Sequence, residues 1–291
     1  MHLPPQGVLM KSRPFLLLAV LFSLSACSTV AVNRAEGVSE SAISYVDSLK
    51  KVNELALDKS IDFTADLLLS TPRTLQNLND KTKDINERIR LAGEYKNYLD
   101  QLGNYFTELN ALANGDQSEN TAKAIDKIVE NLKQPPAEIK ISYERKAALS
   151  GLSAVVAKQI HATKVQSALE RHADIVAQAL EISEKLLDEQ ISWISIREKA
   201  RKLKDYKSAV EGPYTSNPPI TLDDSWKNAW KASVSDSEVI QVLNDSKKAS
   251  KALQKEWLAV LRGQYSPSEL QSILKELKSG IDAIALVKNT K

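Results

Sequence analysis

The three histidines are where acid–base or metal chemistry would first be sought in this chain. His2 lies at the extreme start, ahead of an apolar run. His161 and His172 are eleven residues apart, on one stripe with Val165, Leu169 and Val176. On a straight helix their Cα atoms stand about 16 Å apart, too far to share one metal. They read as packed or half-exposed helix histidines, with a pH-sensing interface as the alternative. Asp58, Asp62 and Asp66 fall at i, i+4, i+8 and line one helix face. Like charges at that spacing repel mildly, which suits either a solvated face or a cation site. The glycine and terminal glutamate of a calcium loop are missing, so the solvated face is the expectation there and at Asp223-Asp224. There is no Gly-rich phosphate loop, no H-E-x-x-H and no G-x-S-x-G. No catalytic set, metal or cofactor is therefore expected, and the protein reads as a non-enzyme.

What remains is chemistry of contact. Arg197, Lys199, Arg201, Lys202, Lys204 and Lys207 crowd one segment against Glu198 and Asp205. Lys247, Lys248, Lys251 and Lys255 form a second group. Either suits lipid headgroups or an acidic partner, or is simply a solvated helix surface. Trp226 and Trp230, one turn apart, are either anchors of a small helix or an exposed contact pair. Arg197, Arg201, Lys204, Trp226 and Trp230 are the candidate interaction residues.

The only cysteine, Cys27, closes the stretch Leu24-Ser25-Ala26-Cys27. Before it come a positive segment with Lys11 and Arg13 and an apolar run, Phe15 to Leu24. That run has the length of a signal's apolar core and is too short to span a bilayer. Met10-Lys11-Ser12-Arg13 is a more ordinary start than Met1, which is followed by two early prolines. The whole resembles the signal peptide and lipobox of bacterial lipoproteins. The resemblance implies cleavage between Ala26 and Cys27 and lipid on the Cys27 sulfur. A cleaved secretory signal with a free thiol, or an uncleaved anchor, is the alternative. Ser28, where an aspartate tends to retain such proteins at the inner membrane, implies the periplasmic face of the outer membrane. One acyl chain binds a membrane only marginally and several anchor it durably; lipoproteins of this type carry more than one.

With Lys11 and Arg13 removed, 37 of the 39 basic side chains remain against 37 acidic ones. A balanced body without a basic face does not read as a nucleic-acid binder. With Cys27 lipidated there is no disulfide, so packing alone must hold the fold.

Positioning these residues falls to helices. Glycine and aromatics are scarce, and no segment alternates in the two-residue period of a strand. The expected class is all-α: an elongated helical bundle with a long antiparallel coiled-coil-like hairpin. Residues 27–37 show no period and are expected as a lipid-anchored tether, with a first helix from near Ser39 carrying Ala42, Tyr45, Leu49, Val52, Ala56 and Phe63 inward. Thr71-Pro72 breaks it. A second helix carries Leu75, Leu78, Thr82, Ile85, Ile89 and Ala92, then Tyr95, Leu99, Leu102, Phe106, Leu109 and Leu112, as one seam about 60 Å long. That seam is expected to be buried throughout. A short amphipathic helix over 121–133 ends at Pro135-Pro136. The span 137–211 keeps helical spacing and should break near Gly151 or around His161 to Lys164. Residues 38–211 form the main bundle, residues 212–222 a Pro-rich linker, and residues 223–291 a C-terminal helical segment that lies apart or packs on the bundle. Thr221 and two capping boxes, Ser235-x-x-Glu238 and Ser266-x-x-Glu269, mark helix starts.

The functional expectation is a lipid-anchored, non-enzymatic interaction or regulatory component of the bacterial envelope, with an envelope protein as partner. An exclusion or immunity-type lipoprotein is a second reading. An enzyme or ligand carrier with a pocket between helices is a third.

Overall fold

The computed structural model describes residues 13–116, 119–134, 164–218, 220–235, 237–264 and 268–289. Every regular element among them is helical. In chain order these are α1 (Arg13–Ser70), α2 (Leu75–Ala113), α3 (Glu119–Leu132) and α4 (Lys164–Asp205). A π-helical turn (Tyr206–Glu211) and a short α5 (Gly212–Thr215) continue α4, and α6 (Asp224–Val234), α7 (Glu238–Leu261) and α8 (Ser268–Asn289) follow. Among the described residues, no helix is long and apolar enough to cross a membrane.

The hairpin of α1 and α2 is the frame. Pro72 ends α1, and its carbonyl accepts from the Thr74 N–H at 2.8 Å and from Asn77 Nδ2 at 2.8 Å. Thr74 then caps α2, its hydroxyl accepting the Asn77 N–H at 3.1 Å. From this corner the helices run antiparallel. Asn53 Nδ2 donates to the Ala92 carbonyl at 3.0 Å, Lys96 pairs with Glu54 at 3.0 Å, and Lys50 pairs with Asp100 at 3.0 Å. The axes close up at Gly103, where a Cβ would stand 3.2 Å from Val46 Cγ1.

Against this frame α4 runs parallel to α1, α7 returns antiparallel to α4, and α8 folds back along α7. Gln190 Nε2 donates to Asn53 Oδ1 at 2.9 Å, and Trp257 Nε1 donates to the Ala173 carbonyl at 3.2 Å. One core results. Leu99, Leu102, Leu109, Val176, Leu180, Leu243, Leu253 and Leu277 are all buried in it, and Trp257 of α7 stands edge-on to Tyr105 and Phe106 of α2 at 6.2 and 5.8 Å. Thus α7 and α8 share the core of the α1–α2 frame, whereas α6 buries no residue and docks on the π-helical turn through Trp226.

Several local expectations are corrected. The tether is not a loop: residues 28–37 belong to α1, and Ala35 and Val38 are fully buried. The inward stripe simply begins earlier, since Ala35, Val38, Ala42, Tyr45 and Leu49 keep the three–four spacing and Gly37 does not outweigh their burial. The α2 seam is buried only from Tyr95 onward; Leu75 is 78% exposed, Leu78 47% and Ile89 43%. At that level α3 has ended, and α4 stands across a cleft from α2. At the linker, Gly212 and Pro213 begin α5 instead of breaking a helix, because proline is tolerated in a first turn. Asp223 caps α6 in place of Thr221, accepting the N–H groups of Ser225 and Trp226 at 2.9 and 3.1 Å. Ser235 closes α6, and Ser237 is the N-cap of α7. The expected break in 137–211 and the Ser266-Pro267 start lie outside the described residues.

Candidate functional site

Beyond the level where α3 packs, α1, α2 and α4 enclose a cleft of about 520 Å³. Its floor is α1, from Asn53 through Ala56, Ser60 and Phe63 to Leu67. One wall is α2 from Lys81 to Tyr95, and the other is α4 from Leu186 to Arg197. At the mouth Trp193 of α4 carries two guanidinium groups. Arg88 of α2 crosses the cleft to stack 3.8 Å from the indole centroid, and Arg197, one turn along α4, stacks at 3.7 Å. Each contact is attractive, since the aromatic face is electron-rich. The two cations nevertheless oppose one another. Burial, then the Arg197 charge, lowers the Arg88 pKa to about 10, and burial lowers that of Arg197. Asp84 favours both charges from outside ion-pair distance; its own ion pair is with Lys81 at 3.8 Å. Among the described residues, neither guanidinium has a carboxylate within ion-pair distance, and the buried Trp193 Nε1–H has no acceptor.

The neighbouring charges pair with one another, though Glu198 Oε2 and Arg201 Nε make no hydrogen bond. Phe63 lies under Lys59 Nζ at 5.1 Å and Arg201 at 5.5 Å. Buried Glu198 takes Arg201 at 3.1 Å and Lys59 at 3.9 Å. Burial, then the Arg201 charge, lowers the Lys59 pKa.

The remaining candidates scatter. Lys204 is exposed on α4 and belongs to no cluster. Trp226 docks α6 on the π-helical turn, donating Nε1–H to the Val210 carbonyl at 3.1 Å, while Trp230 is 45% exposed. Trp226 is thus an anchor, and the pair is not one surface. Lys247, Lys251 and Lys255 pair with Asp188, Glu184 and Glu269 of the neighbouring helices, and Lys248 pairs with Asp245 within α7. Asp58, Asp62 and Asp66 are exposed, as a solvated face requires. His172 is 5% exposed; its Nε2 lies 3.2 Å from Asp126 Oδ1, tying α3 to α4. Burial lowers its pKa against the pull of Asp126. His161 lies outside the described residues, as do the side chains of Ala26 and Cys27. No group of acids, cysteines or histidines among the described residues could hold a metal.

Sequence reading missed Trp193 and Arg88. A signal for half of the cluster existed, since Trp193 and Arg197 are one turn apart and must share a helix face. Nothing in the sequence ties Arg88 to them. No protein-family model matches the chain, and no curated protein or solved structure matches it either.

Proposed function

We propose that this chain is a lipid-anchored docking protein of the bacterial envelope. It is held through Cys27 at the periplasmic face of the outer membrane and acts without catalysis, by engaging an envelope partner. The observation that carries the anchor is Leu24-Ser25-Ala26-Cys27 behind a basic and then apolar lead. Its placement supports the reading. Cleavage before Cys27 leaves the cysteine eight residues ahead of buried Ala35, on the same helix. The lipid is then joined to the body by about two turns of helix, with no long leash. Phe63, in the cleft floor, follows Cys27 by 36 residues of α1, about 54 Å along the axis. An anchored bundle standing off the membrane holds its cleft and hairpin corner away from the lipid, toward partners in the periplasm.

Cys27→Ser tests the anchor. Palmitate labelling with membrane fractionation should show the native chain labelled and sedimenting with membranes. The variant should be unlabelled, and either released or left as uncleaved precursor. Equal labelling and retention of the two would remove the anchor from the reading. A second reading, a carrier of a small anionic ligand, is favoured by the enclosed shape of the cleft, and the peptide and phosphate measurements below separate the two.

A further inference from the structure

We infer that the cleft between α1, α2 and α4 receives an acidic amphipathic helix of the partner protein, with a carboxylate seated between Arg88, Arg197 and the Trp193 N–H. The inference rests on the docking reading above and supplies the chemistry of the partner.

Unused donors identify the ligand's charge. Arg88 and Arg197 lie on the Trp193 indole with no carboxylate partner among the described residues, and the Trp193 Nε1–H has no acceptor, while two acids of the same lining, Asp84 and Glu87, pair with Lys81 and Arg90. Two guanidinium groups on one indole repel each other, and an anion at the edge of the ring within reach of both relieves that repulsion. Their planar forks match a carboxylate in bidentate fashion, and the partly dry setting strengthens such bonds.

The fold itself shows what shape fits. Nearer the Cys27 end, the valley between α2 and α4 is already filled by a helix, α3. It buries Ile125, Val129 and Leu132, and it is held by polar contacts at its edges. Tyr98 donates to the Leu132 carbonyl at 3.3 Å, Asn131 donates to Gln101 at 3.0 Å, and His172 meets Asp126. α3 stops beside Tyr98, and the cleft opens one turn further along α2, at Tyr95. Over Lys81 to Tyr95 the cleft wall runs about 21 Å, the length of a helix of about fourteen residues. At its far end Leu67 is 41% exposed and Leu78 47%, an apolar rim for such a helix. A lipid headgroup as the anion source is disfavoured by the distance from Cys27.

The test uses the full chain in detergent micelles and a fluorescent synthetic peptide of about fourteen residues. Leucine lines one face of the peptide, and glutamate flanks that face. A second peptide has glutamine for glutamate, and inorganic phosphate serves as competitor. Anisotropy should show the acidic peptide bound at least about tenfold more tightly than its glutamine counterpart, with the difference shrinking in salt. Arg88→Gln with Arg197→Gln should abolish that preference. Arg88→Lys, which keeps the charge and loses the fork, should weaken binding by an intermediate factor, while exposed Lys278→Gln leaves it unchanged. Circular dichroism checks that each variant is folded. Equal binding of the two peptides, no binding of either, or a preference that survives the double variant overturns the inference. Tight phosphate binding without peptide binding overturns it in favour of a small-anion site. An unlipidated chain that still selects the acidic peptide defeats the anchor alone; a lipidated chain that ignores the peptide defeats the cleft alone.

Discussion

Trp257→Ala should be among the most damaging single substitutions in this chain. The side chain is fully buried, and it comes from α7, after the proline-rich segment. It fills space between α2 and α4, edge-on to Tyr105 and Phe106, and donates to the Ala173 carbonyl at 3.2 Å. A buried tryptophan removes roughly 150–250 Å² from water, worth about 4–6 kcal/mol at about 25 cal/mol per Å². Truncations of this kind cost about 3–5 kcal/mol. The lost hydrogen bond adds about 1 kcal/mol. A destabilisation of about 4–6 kcal/mol is a large share of the roughly 5–15 kcal/mol that holds a typical domain. Trp257→Phe keeps a ring against Tyr105 and Phe106 and loses the donor, and should cost about 1–2 kcal/mol. Urea melts of the chain lacking residues 1–26 measure both. At a slope of about 2–3 kcal/mol per M, the alanine variant should lower the midpoint by about 1.5 M or more. A loss below about 1 kcal/mol for Trp257→Ala would refute the single-core account and make the C-terminal helices an appendage.

Two further outcomes follow from burial and charge. Leu99→Ala, at a fully buried position of α2, should cost about 2–5 kcal/mol, whereas Leu78→Ala, on the same stripe but 47% exposed, should stay within about 0.5 kcal/mol in denaturant melts. Equal losses at the two sites would mean that the α2 tip is covered in solution. Glu256, buried on α7 near Glu269 and Lys255, has its carboxyl pushed up to about 7, chiefly by burial. The native state therefore keeps a proton that the unfolded chain releases near pH 4.5, and this contribution to stability is lost as pH rises toward 7. Glu256→Gln should remove that slope and gain at most about 3 kcal/mol at pH 8. Parallel melting-temperature curves for the two proteins between pH 5 and 8 would sink this assignment.

The helical class, the Thr71-Pro72 corner and the antiparallel hairpin were legible in the sequence because their causes are local. Proline removes a donor wherever it stands, and a three–four spacing of apolar residues needs no knowledge of what covers it. Burial is not local. Leu78 and Leu99 occupy equivalent places on one stripe, yet only Leu99 meets a second layer, because α3 ends beside Tyr98 and a cleft separates α4 from α2 beyond it. The reverse error occurred at Ala35 and Val38, too weakly apolar to announce a helix and buried once α1 packed into the bundle. Capping likewise depended on neighbours: Ser235 looked like a helix start but was taken by the end of α6. The cleft illustrates the same limit. Arg197 could be singled out from its basic neighbours, and Trp193 stands one turn away on the same face. That Arg88 lies on that indole, without a carboxylate among the described residues, follows only from α2 and α4 being held side by side. The single-chain pattern carries no term for contacts between distant segments, and those contacts decide which charges are left without a partner.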